Sequence, residues 1–346
     1  MCPPVRNGRC FLRLIMIISY PKYYNHFSCI ASQCPDSCCK EWNVDVDDVA
    51  ARFYRELTGP LGDRLREVLQ DTPDGTIMTI EDGRCPMWRQ DGLCQIQAEL
   101  GHDALCKTCR EFPRLRHDYG DFVELGLELS CPEAARLILN DTEGLWESRT
   151  DADEGVAEYD EEIMEILQRS RGEFTDFLNT TPLSVPQILT VLLLYAYDVQ
   201  EELDGGEPAV LSPEQYLPDA AKLPLQGDTE SLREFFRGLE ILTAQWESRL
   251  QSIGTTPVWD GRFKALMRYF IERYWLQAVS DYDIVCRAKF TVAACILIGY
   301  LGGDFIETTQ LFSKEIENDP DNVEAILDGA YTAQGLTDLN LLGLLF

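Results

Sequence analysis

Basic residues are scarce. Thirty lysines and arginines stand against 59 aspartates and glutamates, a formal net charge of −29. Like charges repel, so nucleic acid and anionic membrane surfaces are disfavoured as partners, while a cationic or lysine-presenting partner would be favoured. An acidic surface also serves solubility. No apolar run reaches the roughly 20 residues needed to cross a bilayer. The strongly apolar stretches Ile188 to Tyr197 and Ile284 to Leu301 therefore read as core helices. There is no internal repeat and no low-complexity tract. No G-x-G turn follows a strand to mark a nucleotide-type site. A convincing export signal is also missing. Cys10 to Ser19 is apolar behind Arg6 and Arg9, but Arg13 interrupts it and no small-residue cleavage site follows. A start at Met16 is the expected reading, with Cys2 and Cys10 given little weight and a cytoplasmic location expected.

What the chain does have is cysteine. Of 13 in 346 residues, eleven lie at or before Cys131. A disulfide scaffold is usually short and exported, so reduced thiols held by a metal fit this long chain better. The organising stretch runs from Cys85 to Arg114 and includes Cys85-Pro86, Leu93-Cys94 and Cys106-x-x-Cys109. Upstream lie Cys29, Cys34 and the adjacent pair Cys38-Cys39; downstream, Cys131-Pro132 opens a helix. One C-x-x-C is a weak signal, but joined to the other cysteines it is a strong one. The expected metal ligands are Cys34, Cys38, Cys39, Cys85, Cys94, Cys106, Cys109 and Cys131. Zinc takes four S or N ligands and a four-iron cluster takes four thiolates, so both remain open, as do two sites or some plainly buried cysteines. The spacing C-x-x-x-C-x-x-C of radical adenosylmethionine chemistry is broken, because Cys39 directly follows Cys34-x-x-x-Cys38. A thioredoxin-type role for Cys106 and Cys109 lacks a βαβ setting.

The length allows two domains, and 45% hydrophobic with 26% charged residues is the balance of a folded protein. The expected fold is mainly α (α+β). A cysteine-rich metal or cluster domain over 16–148, with a short β-hairpin, precedes a helical domain over 158–346. In the first, Tyr20 to Phe27 is expected to be extended, Asp47 to cap a helix reaching about Leu57, and a second helix to span Leu61 to Gln70. Thr76 to Ile80 reads as a strand, and Tyr119-Gly120-Asp121 as a hairpin turn. The acidic stretch Thr150 to Asp160 is the expected boundary. Helices are then expected over Glu161–Phe177, Gln187–Glu202, Glu230–Leu250, Arg262–Val279, Ile284–Leu301, Phe305–Ile316 and Val323–Thr332, with Asp204 to Asp228 as loop.

Several segments together resemble the flagellin lysine-N-methylase family, often called FliB. They are Phe27-x-Cys29, Cys34-x-x-x-Cys38-Cys39-x-x-Trp42-x-Val44, Cys85-Pro86, Leu93-Cys94-x-Ile96-Gln97 and Leu100-Gly101. Leu105-Cys106-x-Thr108-Cys109-Arg110-x-Phe112-Pro113-Arg114 and Ser130-Cys131-Pro132-Glu133-Ala134-Ala135-Arg136 complete the set. The likeness covers roughly the first 140 residues. The front half is also similar to a broader group of zinc- or iron-chelating domains, for which methyl transfer does not follow. The resemblance implies S-adenosylmethionine-dependent methylation of lysine side chains on flagellin, with an iron–sulfur cluster, 4Fe–4S favoured and zinc the alternative. A cofactor anchored at a cluster iron would account for the missing glycine-rich loop. The alternatives are a non-enzymatic zinc- or iron-binding module and a cysteine-based redox protein.

Lysine methylation needs a neutral amine, so a group must desolvate the ammonium or take its proton. His102 and His117 flank Cys106 and Cys109, but surface positions are expected for both. Glu133 reads as a first-turn acid or a substrate contact, and Arg110 and Arg114 as cluster neutralisers or surface pairs. Trp42 and Trp88 are expected to shield the metal site, Tyr23 and Tyr24 to pack, and Cys286 and Cys295 to lie in a core.

Overall fold

The computed structural model describes residues 14–157 and 159–346; Cys2 and Cys10 fall outside them. The protein is mainly α with two small sheets. Strand β1 (Leu14–Pro21) is followed by a short 3-10 turn, Lys22–His26, where extended chain was expected. Next come β2 (Val44–Val46), α1 (Asp48–Glu56), α2 (Pro60–Val68), β3 (Leu69–Thr72) and β4 (Gly75–Met78), with β2-β4-β3 forming an antiparallel sheet. Asp47 caps α1 as its sequence predicts, its carboxylate accepting the Ala50 N–H at 3.0 Å. Short helices α3 (Gln95–Leu100) and α4 (Lys107–Glu111) lead to the hairpin β5 (Arg114–Asp118) and β6 (Phe122–Leu127). Its turn holds Gly120 at φ +94°, and a Cβ there would strike the Val156 carbonyl.

After α5 (Pro132–Leu139), strand β7 (Trp146–Gly155) occupies the start of the expected boundary. Local composition missed this strand because its partner β1 is more than a hundred residues away: Ile17 faces Thr150 and Pro21 faces Trp146. The second sheet runs β5-β6-β1-β7, with β1 parallel to β6. The cysteine-rich stretch from residue 22 to 113 is thus an excursion that leaves the sheet at Pro21 and re-enters at Arg114.

The helical part holds α6 (Glu161–Thr180), α7 (Val185–Leu203), α8 (Pro213–Ala220), α9 (Thr229–Arg237), α10 (Ala244–Gln251), α11 (Phe263–Tyr274), α12 (Ile284–Leu301), α13 (Phe305–Phe312), α14 (Pro320–Thr332) and α15 (Asp338–Leu345). The helix expected over Glu230–Leu250 is two, α9 ending at Gly238 and Thr243 capping α10. A π-helical turn, Ser313–Glu317, follows α13.

Two apolar clusters result. A small one contains Val44, Val46, Tyr54, Leu65, Met78, Met87, Ile96 and Leu105, with Cys85 and Cys106 among them. The large one begins at Leu127 and fills the helical bundle. Each fully buried Leu or Phe there contributes about 1.5–3 kcal/mol. Helix α12 is apolar and long enough to span a membrane, but every residue in it is buried inside the fold. Cys286 and Cys295 lie on it, in the core as expected.

Candidate functional site

The excursion places its thiols around two adjacent cavities. The larger, about 390 Å³, is lined by Cys29, Cys34, Cys38, Cys39, Cys94, Cys109 and Cys131. The smaller, about 30 Å³, is lined by Cys38, Cys39, Cys85, Cys94, Cys106 and Cys109. All eight cysteines singled out in the sequence therefore reach one or the other, and Cys38, Cys39, Cys94 and Cys109 line both. Cys29 was not among the expected ligands, although it falls in the Phe27-x-Cys29 segment. Local folding sets these positions. The Cys85 N–H donates to the Cys39 carbonyl at 2.8 Å, and Trp88 pairs with Cys94. Cys94, Cys106 and Cys131 each stand immediately before a helix, α3, α4 and α5.

No disulfide links the described cysteines. Their acidities divide. A hydrogen bond from Cys38 draws the Cys39 thiol down to about 7, and Cys38 is correspondingly raised. Cys106 is lowered by its bond to Cys109, and Cys109 is raised. Burial pushes Cys85 up to about 12 and Cys131 up to about 11, and raises Cys34 and Cys94. A bound cation would reverse that penalty, because coordination favours the thiolate. Among the described residues, no three cysteine, histidine or carboxylate groups are grouped closely enough to hold a metal ion. The donor chemistry thus fits a thiophilic metal, and the spacing is not that of a formed coordination shell.

The cavity wall is tied to the helical part by buried charge. Lys314, on the π-helical turn, is 3% exposed. It pairs with Asp36 at 3.2 Å and with Glu41, and lies 5.4 Å from the Trp42 ring. Gln310 Nε2 donates to Asp36 at 2.8 Å and to the Ser130 carbonyl at 2.7 Å. No local pattern signals these contacts, since Asp36 lies more than 250 positions from Gln310 and Lys314, and Ser130 lies 180 from Gln310.

Three relatives match. The flagellar biosynthetic protein FliU of Salmonella muenchen is 32% identical over 141 residues, covering 37% of this chain and 80% of FliU. The chain belongs to that family. Two proteins named lysine-N-methylase share it: one from Salmonella choleraesuis SC-B67, 34% identical, and one from Salmonella typhimurium LT2, 33% identical, each over 138 residues. The matches cover 37% of this chain and 34% of each methylase, so the chain spans about a third of the length of those two relatives. No family model and no solved structure matches it.

The remaining polar residues fall into place around this frame. Glu133 lines the larger cavity, and Arg136 donates to it twice, at 2.8 and 2.6 Å, which holds its carboxyl below the usual range. Arg114 lies 5.1 Å from the Phe27 ring and Arg84 4.0 Å from that of Trp88. Arg110 donates to the Leu105 carbonyl at 3.4 Å. His102 borders the larger cavity and is exposed, as the sequence predicts for it. His117 departs from that expectation: it is half-buried on β5, facing a different cavity away from the thiols.

Proposed function

We propose that the chain is an S-adenosylmethionine-dependent protein lysine N-methyltransferase that acts on flagellin and uses a cysteine-ligated iron–sulfur cluster. The observation that carries this reading is the gathering of seven thiols from separate segments around one ligand-sized cavity. The names of the two methylase relatives supply the reaction. Three of Cys34, Cys38, Cys39, Cys94, Cys109 and Cys131 would hold the cluster at the larger cavity and leave one iron open, with Cys85 and Cys106 in the wall beneath. Such a cluster, when bound, would offer an iron site to anchor the adenosylmethionine. Residues 16–148 would form the metal domain and 158–346 a helical domain that receives the protein substrate. The net charge of −29 suits a lysine-bearing partner.

The test begins with anaerobically purified protein, its iron, sulfide and zinc content and its absorption spectrum. About four iron and four sulfide per chain are expected. Labelled adenosylmethionine should then transfer its methyl group to lysines of flagellin. Zinc without sulfide would replace the cluster with a structural metal module. A Cys106–Cys109 disulfide that cycles at cellular redox poise would favour a redox protein. Either result, with no methyl transfer, overturns the proposal.

A further inference from the structure

A cavity of about 20 Å³ lies between the β5-β6-β1-β7 sheet and α11 and shares no lining residue with the thiol cavities. A void needs about 10–15 Å³ to hold a water, so this one takes a single water-sized group. Its walls carry the aromatic rings of Tyr23, Trp146 and Tyr269, the acids Glu124 and Glu272, and the guanidinium of Arg273. Glu124 is satisfied, receiving two hydrogen bonds from Arg171 at 2.8 and 2.5 Å. Glu272 is not. It accepts from Trp146 Nε1 at 2.8 Å, and among the described residues no cation pairs with it.

The nearby arginines hydrogen-bond elsewhere, although the charges of Arg268 and Arg171 still act on Glu272 and partly offset its burial. Arg268 donates to Asn179 at 2.6 Å and to the Asp141 carbonyl at 3.0 Å. Arg273 pairs with Glu317 at 3.2 Å and with Glu128 at 3.3 Å. Burial accordingly pushes the Glu272 carboxyl up to about 7. His117 also lines the cavity, and its Nε2 is buried with no hydrogen-bond partner. Burial, then the charge of Arg273, lowers its pKa, so the imidazole is neutral and offers one acceptor nitrogen.

An unpaired carboxylate, an unused imidazole acceptor and aromatic walls select a cation. With Glu124 neutralised by Arg171 and Arg273 by Glu317 and Glu128, Glu272 is the wall charge left to oppose an anion. The size limit admits an ammonium head and shuts out a quaternary one. We infer that this cavity binds a primary ammonium, such as the end of a lysine side chain, with Glu272 as its counter-ion and His117 accepting a second N–H hydrogen bond. The half-buried state of His117, Trp146 and Glu272 leaves a route from the surface. The cavity stands apart from the thiol cavities, so an ammonium held here would be an anchoring lysine of the protein substrate and not the one methylated; that assignment rests on the methylase reading, and the binding itself does not.

The test uses the full chain and methylammonium as the probe. The readout is the Trp146 indole N–H signal in a nitrogen–proton NMR spectrum, assigned with Trp146→Phe. Methylammonium should shift it saturably, with tetramethylammonium at least about tenfold weaker and methanol without effect. Glu272→Gln, which keeps an acceptor for Trp146, should weaken methylammonium binding by about tenfold or more. No saturable shift, an equal response to tetramethylammonium, or undiminished binding in Glu272→Gln would overturn the inference. If that variant fails to fold, the comparison of the two ammonium ions on the wild-type protein decides alone. Methylammonium binding without methylation of flagellin would sustain this site and remove only its assignment to an anchoring lysine of that substrate.

Discussion

Cysteine plays two different parts in this molecule. In the helical bundle, Cys295 sits among apolar side chains on α12 and behaves as a small hydrophobe, its thiol raised by burial alone. Cys286 on the same helix bonds back to the Asp283 carbonyl at 3.5 Å. In the excursion, the thiols stand around open space and interact with one another. The difference lies in what else fills the core. The bundle has whole helices of buried Leu, Ile and Phe. The excursion has short strands, four helices of five to nine residues, and one small cluster. A region with the smaller apolar core gains most from any further source of order, and a metal bridging distant segments would be one.

The largest expected effect separates the two regions directly. Chelation of a bound metal, or oxidative loss of a cluster, removes binding energy on the order of 10 kcal/mol. Residues 22–113 should lose amide-exchange protection while α7, α11 and α12 keep theirs. Equal protection in loaded and stripped protein would show that the excursion stands on its own core. The converse perturbation is Phe270→Ala. Phe270 is fully buried, with Phe290 and Phe312 rings at 5.7 and 6.1 Å. A loss of about 4 kcal/mol is expected, read by denaturant unfolding, with metal content per folded chain unchanged. A matching fall in metal content would mean that the regions are one cooperative unit.

Lys314→Met tests the seam between them. It would leave Asp36 and Glu41 with the partly exposed Lys40, at 2.6 and 3.6 Å, as their remaining cation. Breaking a buried ion pair costs about 3–5 kcal/mol in a full interior. Asp36 and Glu41 keep 20% and 28% of their side-chain surface, so a loss of about 2 kcal/mol is expected. Metal loading should also fall, because Asp36 lies between Cys34 and Cys38 on the cavity wall. Unchanged loading would confine the role of Lys314 to the bundle.

Much of the bundle was legible in the sequence because helical periodicity and caps are local. Ile284–Leu301 is a helix at the expected bounds, and Asp47 and Cys131-Pro132 start helices where their chemistry says they should. The β5-β6 hairpin was visible for the same reason. Some misses are local, such as α8 inside the expected Asp204–Asp228 loop, where Pro213 and Pro218 masked a helix; the larger ones are non-local. β1 and β7 pair across the whole excursion, and β7 carries an acidic composition that reads as linker. At the thiol cavities, residue type and spacing named eight of the lining cysteines, but nothing near them in sequence pointed to Lys314 or Gln310. His117 was seen only as a neighbour of cysteines, whereas its strand turns it toward Glu272, more than 150 positions later.

The smallest predicted effect bears on that pairing. The Glu272 carboxyl titrates near 7 in the folded protein against an ordinary 4.5, chiefly because burial disfavours its charge. A raised acid pKa means that the folded state keeps a proton which the unfolded chain has released. Below about pH 4.5 both states are protonated and the group contributes no pH dependence. As pH rises toward 7, stability is lost, and the loss is complete above it. Glu272 remains half-buried, so about 1 kcal/mol is expected. Glu128 and Glu315 are raised in the same direction, so the useful quantity is a difference between proteins. Glu272→Gln should gain on the wild type by about 1 kcal/mol between pH 4.5 and pH 8, measured by denaturant unfolding at each pH. Methylammonium should return part of that stability to the wild type and none to the variant, since a bound cation compensates only a charge that is present. Parallel curves for the two proteins would show that Glu272 is already compensated by Arg171 and Arg268, and the carboxylate would then have no call for a ligand.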